Sequence, residues 1–503
     1  MSAKPLGDYK LWFVAGSQEL YGEEVLATVA ADAREIAAAL DQSAALPVAV
    51  LLREVPTGTE AIRRLCLEAN ADDDCVGLIL WMHTFSPAKM WIAGLSVLDK
   101  PLLHLHTQFH RALPWAQIDM NYMNTHQSAH GDREFGFLET RMRLARKTVA
   151  GHWRDERTLT RIGDWARAAC GWHEAGRLTV ARFGDNMRDV AVTEGDKVEA
   201  QLRLRFSVDG FGVGDLVDVI EAVAQEDVAA LLAEYEDSYE MAPELLAGGE
   251  RRESLEVAAR IEAGLREFLT AGGFGAFTDT FEDLHGLRQL PGIAVQRLMA
   301  DGFGFGAEGD WKTAALVRIV KLMASGLDGG TSFMEDYTYD LGGEQPLVLG
   351  SHMLEVCPSI AAARPRCEIH PLGIGAREDP VRLVFDAAPG PAFMFSMLDM
   401  GERFRLLAAE VDVIAPPQEL PKLPVARAVW KPKPDFATAA EAWLLAGGPH
   451  HSVFSAALGT EVLTDFAQIA SLELLLIDER TRIRDFANEV RWNQAYHRLA
   501  GGL

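Results

Sequence analysis

The feature that most limits how this chain can fold is the alternation, across its first third, of short continuous apolar runs with amphipathic helical patterns. Tyr9–Ala15, Val48–Leu52, Val76–Met82 and Pro101–Thr107 read as strands, and Glu23–Leu40 and a stretch near Thr59–Asn70 as helices. Strands that are apolar throughout, rather than at alternate positions, suit a sheet buried on both faces. A strand–helix–strand rhythm then calls for a parallel sheet with helices on either side. Ligands on such sheets bind beyond the carboxyl ends of the strands. Three polar clusters stand there: Ser17-Gln18, His83-Thr84 and His106-Thr107-Gln108. The charge-rich stretch from Gly151 to Arg177 reads as a bridge between domains.

A second strand–helix series starts at Leu178–Phe183 and closes with a helix over Thr313–Ala324. From Gly329 the texture changes to strand-like runs punctuated by Gly and Pro, among them Pro346–Gly350, Val381–Phe385 and Phe404–Val411, which suits a barrel or a sandwich. A helix over Glu461–Ala470, a strand over Leu472–Ile477 and a last helix follow. The expected class is α/β, with two doubly wound parallel-sheet domains at 1–178 and 179–329 and a β-rich domain at 330–503. Three domains suit a chain of 503 residues.

Composition narrows the function. The chain carries 73 acidic and 48 basic residues, a formal net charge of −25. Such a surface repels phosphate backbones and anionic lipid, so neither nucleic acid nor a membrane is an expected partner. No apolar run is long enough to span a bilayer. The opening residues Met1–Pro5 lack the apolar core of a secretion signal. The five cysteines are scattered without a CxxC pair, which argues against a disulfide framework and a cysteine zinc site. A cytoplasmic location is expected.

Four residues in the second half carry the chemistry. Gly304–Gly309 matches a GxGxxG dinucleotide fingerprint by letter, but a helix rather than a strand is expected just before it. Its glycines more simply allow a sharp turn that presents Glu308 at a helix entrance. Glu335 stands in an acidic, aromatic loop. His352 follows a strand end, and His450 and His451 follow Gly447-Gly448-Pro449. Neighbouring histidines in a strand face opposite ways, so one of the pair at most serves a given site. Each residue alone has a bland reading as helix cap, solvated loop or structural histidine. Together, two carboxylates and two imidazoles without a thiolate suit Mn²⁺, Mg²⁺ or Co²⁺ with open positions. Their spacings of 27, 17 and 99 residues match no local metal motif. A carboxylate pair beside such a cation is also the equipment for moving a proton next to a carbonyl.

The segments around these residues resemble the L-arabinose isomerase family. They are Phe305–Thr313, Gly330–Tyr337, Gly350–Pro358 and Gly447–His451. Trp12–Gly22, His83–Trp91, Arg182–Arg188 and Phe281–Leu287 extend the similarity from about Asp8 to Tyr496. The resemblance implies two doubly wound α/β domains and a C-terminal β-barrel-like domain. It implies a cytoplasmic isomerase that converts L-arabinose to L-ribulose through a metal-bound enediol, and D-galactose to D-tagatose. It implies one Mn²⁺ per subunit, with Co²⁺ or Mg²⁺ as substitutes, held by Glu308, Glu335, His352 and His451. Glu308 and Glu335 would also be the acid/base pair. Substrate contacts would fall on Gln18, Leu20, Tyr21, Gln127, His130, Met187, Phe281, Met353 and Ile374. The assembly would be a homo-oligomer, a hexamer, with the Gln18 and His130 region supplied by a neighbour. Asp132 and Pro449 stand where the family pattern leads one to expect Gly and Ala. A nicotinamide dehydrogenase built on Gly304–Gly309 and a non-catalytic sugar-binding regulator remain the rival readings.

Overall fold

The computed structural model describes residues 4–501. They form two compact units: residues up to His173 together with Glu461–Ser471, and Glu174–Thr460 together with the segment from Leu472 onward.

In the first unit, β1 (Lys10–Ala15), β2 (Ala49–Leu52), β3 (Cys75–Trp81), β4 (Leu102–His106) and β5 (Lys147–Ala150) form one sheet in the order β2-β1-β3-β4-β5. Every pairing is parallel. All seven residues of the central β3 are buried, as its continuous apolar run requires. The fifth strand was not expected: four residues, alternately buried and exposed, leave too short a signal.

The stretch expected to bridge domains is a packed helix, Glu156–Ala175, and the boundary between the two units falls within it. Ile162, Trp165, Ala166, Ala169 and Cys170 are buried along one side, at the spacing of an amphipathic helix face. The charged residues between them masked that period. Trp165 lies against β3 at Gly77, where a Cβ would come within 2.8 Å of the indole. The helix Thr460–Ile469 also packs in this unit. Lys147 Nζ donates to Glu461 Oε1 (2.7 Å) and Asp465 Oδ1 (2.6 Å).

Asp132, where a glycine was expected, ties the carboxyl end of this sheet together. Its Oδ1 accepts from the Met82 amide (3.1 Å) and lies 2.9 Å from His104 Nε2, and its Oδ2 is 2.7 Å from His106 Nδ1. His104 Nδ1 meets Glu139 Oε2 at 2.8 Å.

The second unit holds β6 (Thr179–Phe183), β7 (Ser207–Phe211), β8 (Glu240–Met241), β9 (Ala276–Thr278) and β10 (Gly304–Gly306). Four of them form a parallel sheet in the order β10-β9-β6-β7. Its shortest members, β9 and β10, span three residues each and show no period in sequence. Then come β11 (Thr331–Asp340), β12 (Leu347–Ser351), β13 (Arg366–Ile369), β14 (Val381–Val384), β15 (Gly390–Asp399), β16 (Phe404–Ile414), β17 (Arg427–Pro432), β18 (His451–Ser455) and β19 (Glu473–Ile477). A small sheet joins β8, β13 and β14.

The remaining strands pair in a circuit, β15-β18-β11-β12-β17-β16, which returns to β15, with β19 added parallel to β16. Closure of this kind is what a barrel needs. Each of the six strands sends one of Met334, Val348, Met394, Val411, Trp430 and Phe454 into a single apolar cluster. Gly350 leaves the space that Trp430 fills, since a Cβ there would lie 2.1 Å from the indole. No helix among the described residues is long and apolar enough to cross a membrane. All five cysteines are buried and free.

Candidate metal centre and sugar site

Because side chains alternate along a strand, Phe333 and Glu335 of β11 lie on the face opposite Met334. Glu335 pairs across the ladder with His451 at the start of β18 and with Ser351 at the end of β12. His352 is the next residue after β12. Glu335 is therefore a strand residue, not the loop residue expected, and the antiparallel ladder brings Glu335, His352 and His451 together despite their separation in sequence. Phe333 packs edge-on against both imidazoles, its ring centroid 5.1 Å from each.

Glu308 arrives from the parallel sheet. The glycines before it are β10 itself: a Cβ on Gly304 or Gly306 would collide with the Ala314 or Asp310 carbonyl at 2.1 and 2.3 Å. They form a strand, not a phosphate loop, which removes the ground for the dinucleotide reading. Glu308 follows in the left-handed region (φ 62°), a conformation disfavoured for any residue with a side chain. Its carbonyl accepts from the Met187 amide at 3.0 Å. Glu308, His352 and His451 each bring a ligand atom within 4.8 Å of the other two. Glu308 Oε2 lies 3.7 Å from His451 Nε2, and Glu335 Oε2 lies 3.7 Å from His352 Nε2.

Each histidine is held from behind by a carboxylate. His451 Nδ1 is 3.1 Å from Asp310 Oδ2, and His352 Nδ1 bonds Glu355 Oε2. A carboxylate on one ring nitrogen sets the tautomer and turns the other toward the site. His451 Nε2 is buried and has no hydrogen-bond partner, a costly state for a polar atom unless a ligand satisfies it. His450, half-buried, is not in this group. Burial opposes ionisation of Asp310, but Lys312, His451 and Thr313 outweigh it and hold its carboxyl far below the usual range. Burial likewise opposes charge on His352, yet Glu355, Glu335 and Glu308 lift its pKa to about 9. Burial raises the carboxyl of Glu335. Asp279, after β9, is pushed up to about 7 by burial and by Glu355.

Three residues here were not expected from sequence: Asp310, Glu355 and Asp279. Asp310 carried a local signal, since it stands immediately before Trp311–Met323 with Thr313 three residues on, a helix-capping pattern. Glu355 stands only three residues after His352, and Asp279 carried no signal.

The sugar contacts implied by the resemblance fall on both units. In the second, Met187 bonds Glu308, and the Arg188 amide donates to Glu282 beside Phe281 (2.9 Å). Met353 follows His352, and its carbonyl accepts from Arg382 Nη1 at 3.2 Å. Gly375, after Ile374, faces the Phe281 carbonyl. In the first unit, Gln18 Nε2 donates to the Phe85 carbonyl (2.9 Å), and the Phe85 ring lies 4.8 Å from that of His130. The Gln127 amide donates to the His83 carbonyl (3.0 Å) and the His130 amide to that of Gln127 (2.9 Å). Leu20 and Tyr21 lie in a short 3-10 turn, Leu20 being 83 % exposed.

Comparison with known proteins agrees over the whole length. Residues 5–177 match the L-arabinose isomerase N-terminal domain, 179–326 the central domain and 330–473 the C-terminal domain. An L-arabinose isomerase of Nocardioides sp. is 63 % identical over 496 residues, 99 % of either chain. Those of Mycolicibacterium smegmatis and Geobacillus stearothermophilus are 59 % and 57 % identical, covering 100 % and 98 % of this chain and 100 % and 99 % of their own. The chain belongs to the L-arabinose isomerase family, and with it to the isomerases that act as intramolecular oxidoreductases.

Proposed function

We propose that the protein interconverts L-arabinose and L-ribulose at the Glu308–Glu335–His352–His451 cluster, with Mn²⁺ as cofactor and Co²⁺ or Mg²⁺ as substitutes. D-galactose, giving D-tagatose, is the second substrate. The carrying observation is the matched wiring of the two histidines: each has a carboxylate behind it and turns Nε2 toward a glutamate. The orphaned His451 Nε2 and the all-N/O donor set fit a divalent cation with open positions. Such a cation, when bound, supplies Lewis-acid polarisation of the sugar oxygens.

The chain's own groups then move the protons. On the open-chain aldose, Glu308 takes the proton from carbon 2 while the carbon 1 oxygen gains one, giving an enediol. Glu335 handles the hydroxyl protons, carbon 1 receives a proton, and the carbon 2 oxygen loses its own to leave the ketose. Two carboxylates in one site can hold different protonation states, which lets one serve as base and the other as acid. Met187, Phe281, Met353 and Ile374 border the sugar. We assign Gln18, Leu20, Tyr21, Gln127 and His130 to the sugar bound by a neighbouring subunit of a homo-oligomer, a hexamer by resemblance, working in the cytoplasm.

The test is ketose formation from a panel of aldoses by chelator-stripped protein, with and without restored Mn²⁺. Metal-dependent turnover of L-arabinose is expected. Turnover indifferent to chelation, or no ketose after Mn²⁺ is restored, overturns the reading.

A further inference from the structure

The first unit holds a second cluster of ligand-type side chains. It lies beyond the carboxyl end of β3, where doubly wound sheets place ligands. Asp32, on the helix Gly22–Gln42, and His83 and His126 each bring one ligand atom within 4.8 Å of the other two.

His83 is wired as His352 and His451 are, with its ring nitrogens exchanged. Its Nε2 donates to Asp32 Oδ2 at 2.7 Å, and its Nδ1, in a fully buried residue, has no partner. The ring is stacked on Trp81, centroids 4.2 Å apart and planes 12° from parallel, which fixes its orientation. His126 Nδ1 is also buried without a partner, and its ring lies 5.3 Å from that of His83. The backbone holds His126 in place through its amide, which donates to the Tyr122 carbonyl at 2.9 Å. The Tyr122 hydroxyl, in a ring 4.3 Å from His126, is a third buried polar atom without a partner. Three orphaned polar atoms on rings in mutual contact are uncommon in a folded protein and mark a missing ligand or water.

We propose that His83 and His126, with Asp32 behind His83, form a second divalent-metal site, one that takes a borderline ion of the Zn²⁺ or Co²⁺ kind. Two imidazoles without a thiolate, each with an unpartnered Nδ1, suit such ions with open positions for water. A carboxylate on the far nitrogen of a ligating histidine is the usual outer-shell partner. The site stands in the first unit and does not depend on a metal at Glu308, Glu335, His352 and His451.

The probe is Co²⁺, because its visible absorption reports ligand type. Chelator-stripped full-length protein is equilibrated in a micromolar free-Co²⁺ buffer, and bound metal is counted by elemental analysis alongside the spectrum. His126→Asn is the principal variant, since His126 is only half-buried and the change keeps a polar group there. The expected result is the loss of one Co²⁺ per chain relative to wild type, together with that ion's share of the visible absorption. Asp32→Asn should weaken the same ion by roughly 10–100-fold, as the loss of an outer-shell carboxylate does. Glu308→Gln should leave that ion and its band in place. Equal Co²⁺ content in wild type and a folded His126→Asn overturns the proposal. So does an ion that disappears with Glu308→Gln instead. The isomerase reading survives either outcome, because its own test is turnover with Mn²⁺.

Discussion

Oδ2 of Asp310 serves two groups at once: it lies 3.1 Å from His451 Nδ1 and accepts from the Thr313 hydroxyl at 2.7 Å. Oδ1 of the same carboxylate accepts from the Thr313 amide, capping the helix Trp311–Met323. One buried carboxylate thus fixes where the helix begins and how a candidate metal ligand is turned. The site and the fold share it.

Asp310→Ala should therefore show two separable losses. The missing cap costs ~1 kcal/mol of stability. The freed imidazole lowers Mn²⁺ affinity roughly 10–100-fold, as for other outer-shell partners of a ligand. Thr313→Val keeps the Asp310–His451 contact and should retain most of the metal affinity. Denaturant unfolding and Mn²⁺ titration of both variants check this; equal affinity loss in the two would place the orienting role elsewhere.

Glu335→Gln keeps the side-chain shape and removes the charge. It should abolish ketose formation and weaken Mn²⁺ by more than the roughly 10–100-fold of an outer-shell change. Full activity with stoichiometric Mn²⁺, measured by elemental analysis, is the result that would contradict the ligand assignment.

The His104 cluster predicts how the first unit responds to alkali. Burial opposes protonation of His104, but Asp132 and Glu139 outweigh it and raise its pKa to about 9. The unfolded chain returns it to the ordinary value of about 6.5. The folded state thus binds the proton more tightly. That stability is fully present below about 6.5 and is lost as pH rises through about 9. At roughly 1.4 kcal/mol per pKa unit the loss is at most about 3–4 kcal/mol. Urea midpoints taken near neutral pH and again above pH ~9 should fall, and His104→Gln should flatten the difference. An unchanged alkaline slope in that variant would exclude His104 as its source.

Subunit sharing can be tested by complementation. A Gln18→Ala/His130→Ala double variant and a Glu308→Gln variant should each be inactive. If neighbouring subunits complete each other's sites, random mixing of equal pools leaves about a quarter of sites whole. Activity should then return after subunit exchange. A mixture that stays inactive, with exchange shown by mass spectrometry, would mean that each chain builds its own site.

The doubly wound start of the chain was determined by sequence alone. Residues Val76–Trp81 are apolar without a break and flanked by helical patterns, which suits a strand covered on both faces. The identity of the ligand set, Glu308, Glu335, His352 and His451, was legible too, because those residue types stand in long segments shared with a family. Their arrangement was not. Glu335 reads as a loop residue until the β11 ladder sets it beside His451 and Ser351. β9 and β10 are too short for any period to show. The helix Glu156–Ala175 hid its apolar face among charges. What only the tertiary structure decided is which polar atoms are paired and which are left over. Asp310 behind His451, Glu355 behind His352 and Asp32 behind His83 are contacts at sequence separations of 141, 3 and 51. No local pattern records two of them, because a hydrogen bond depends on where backbones end up in space.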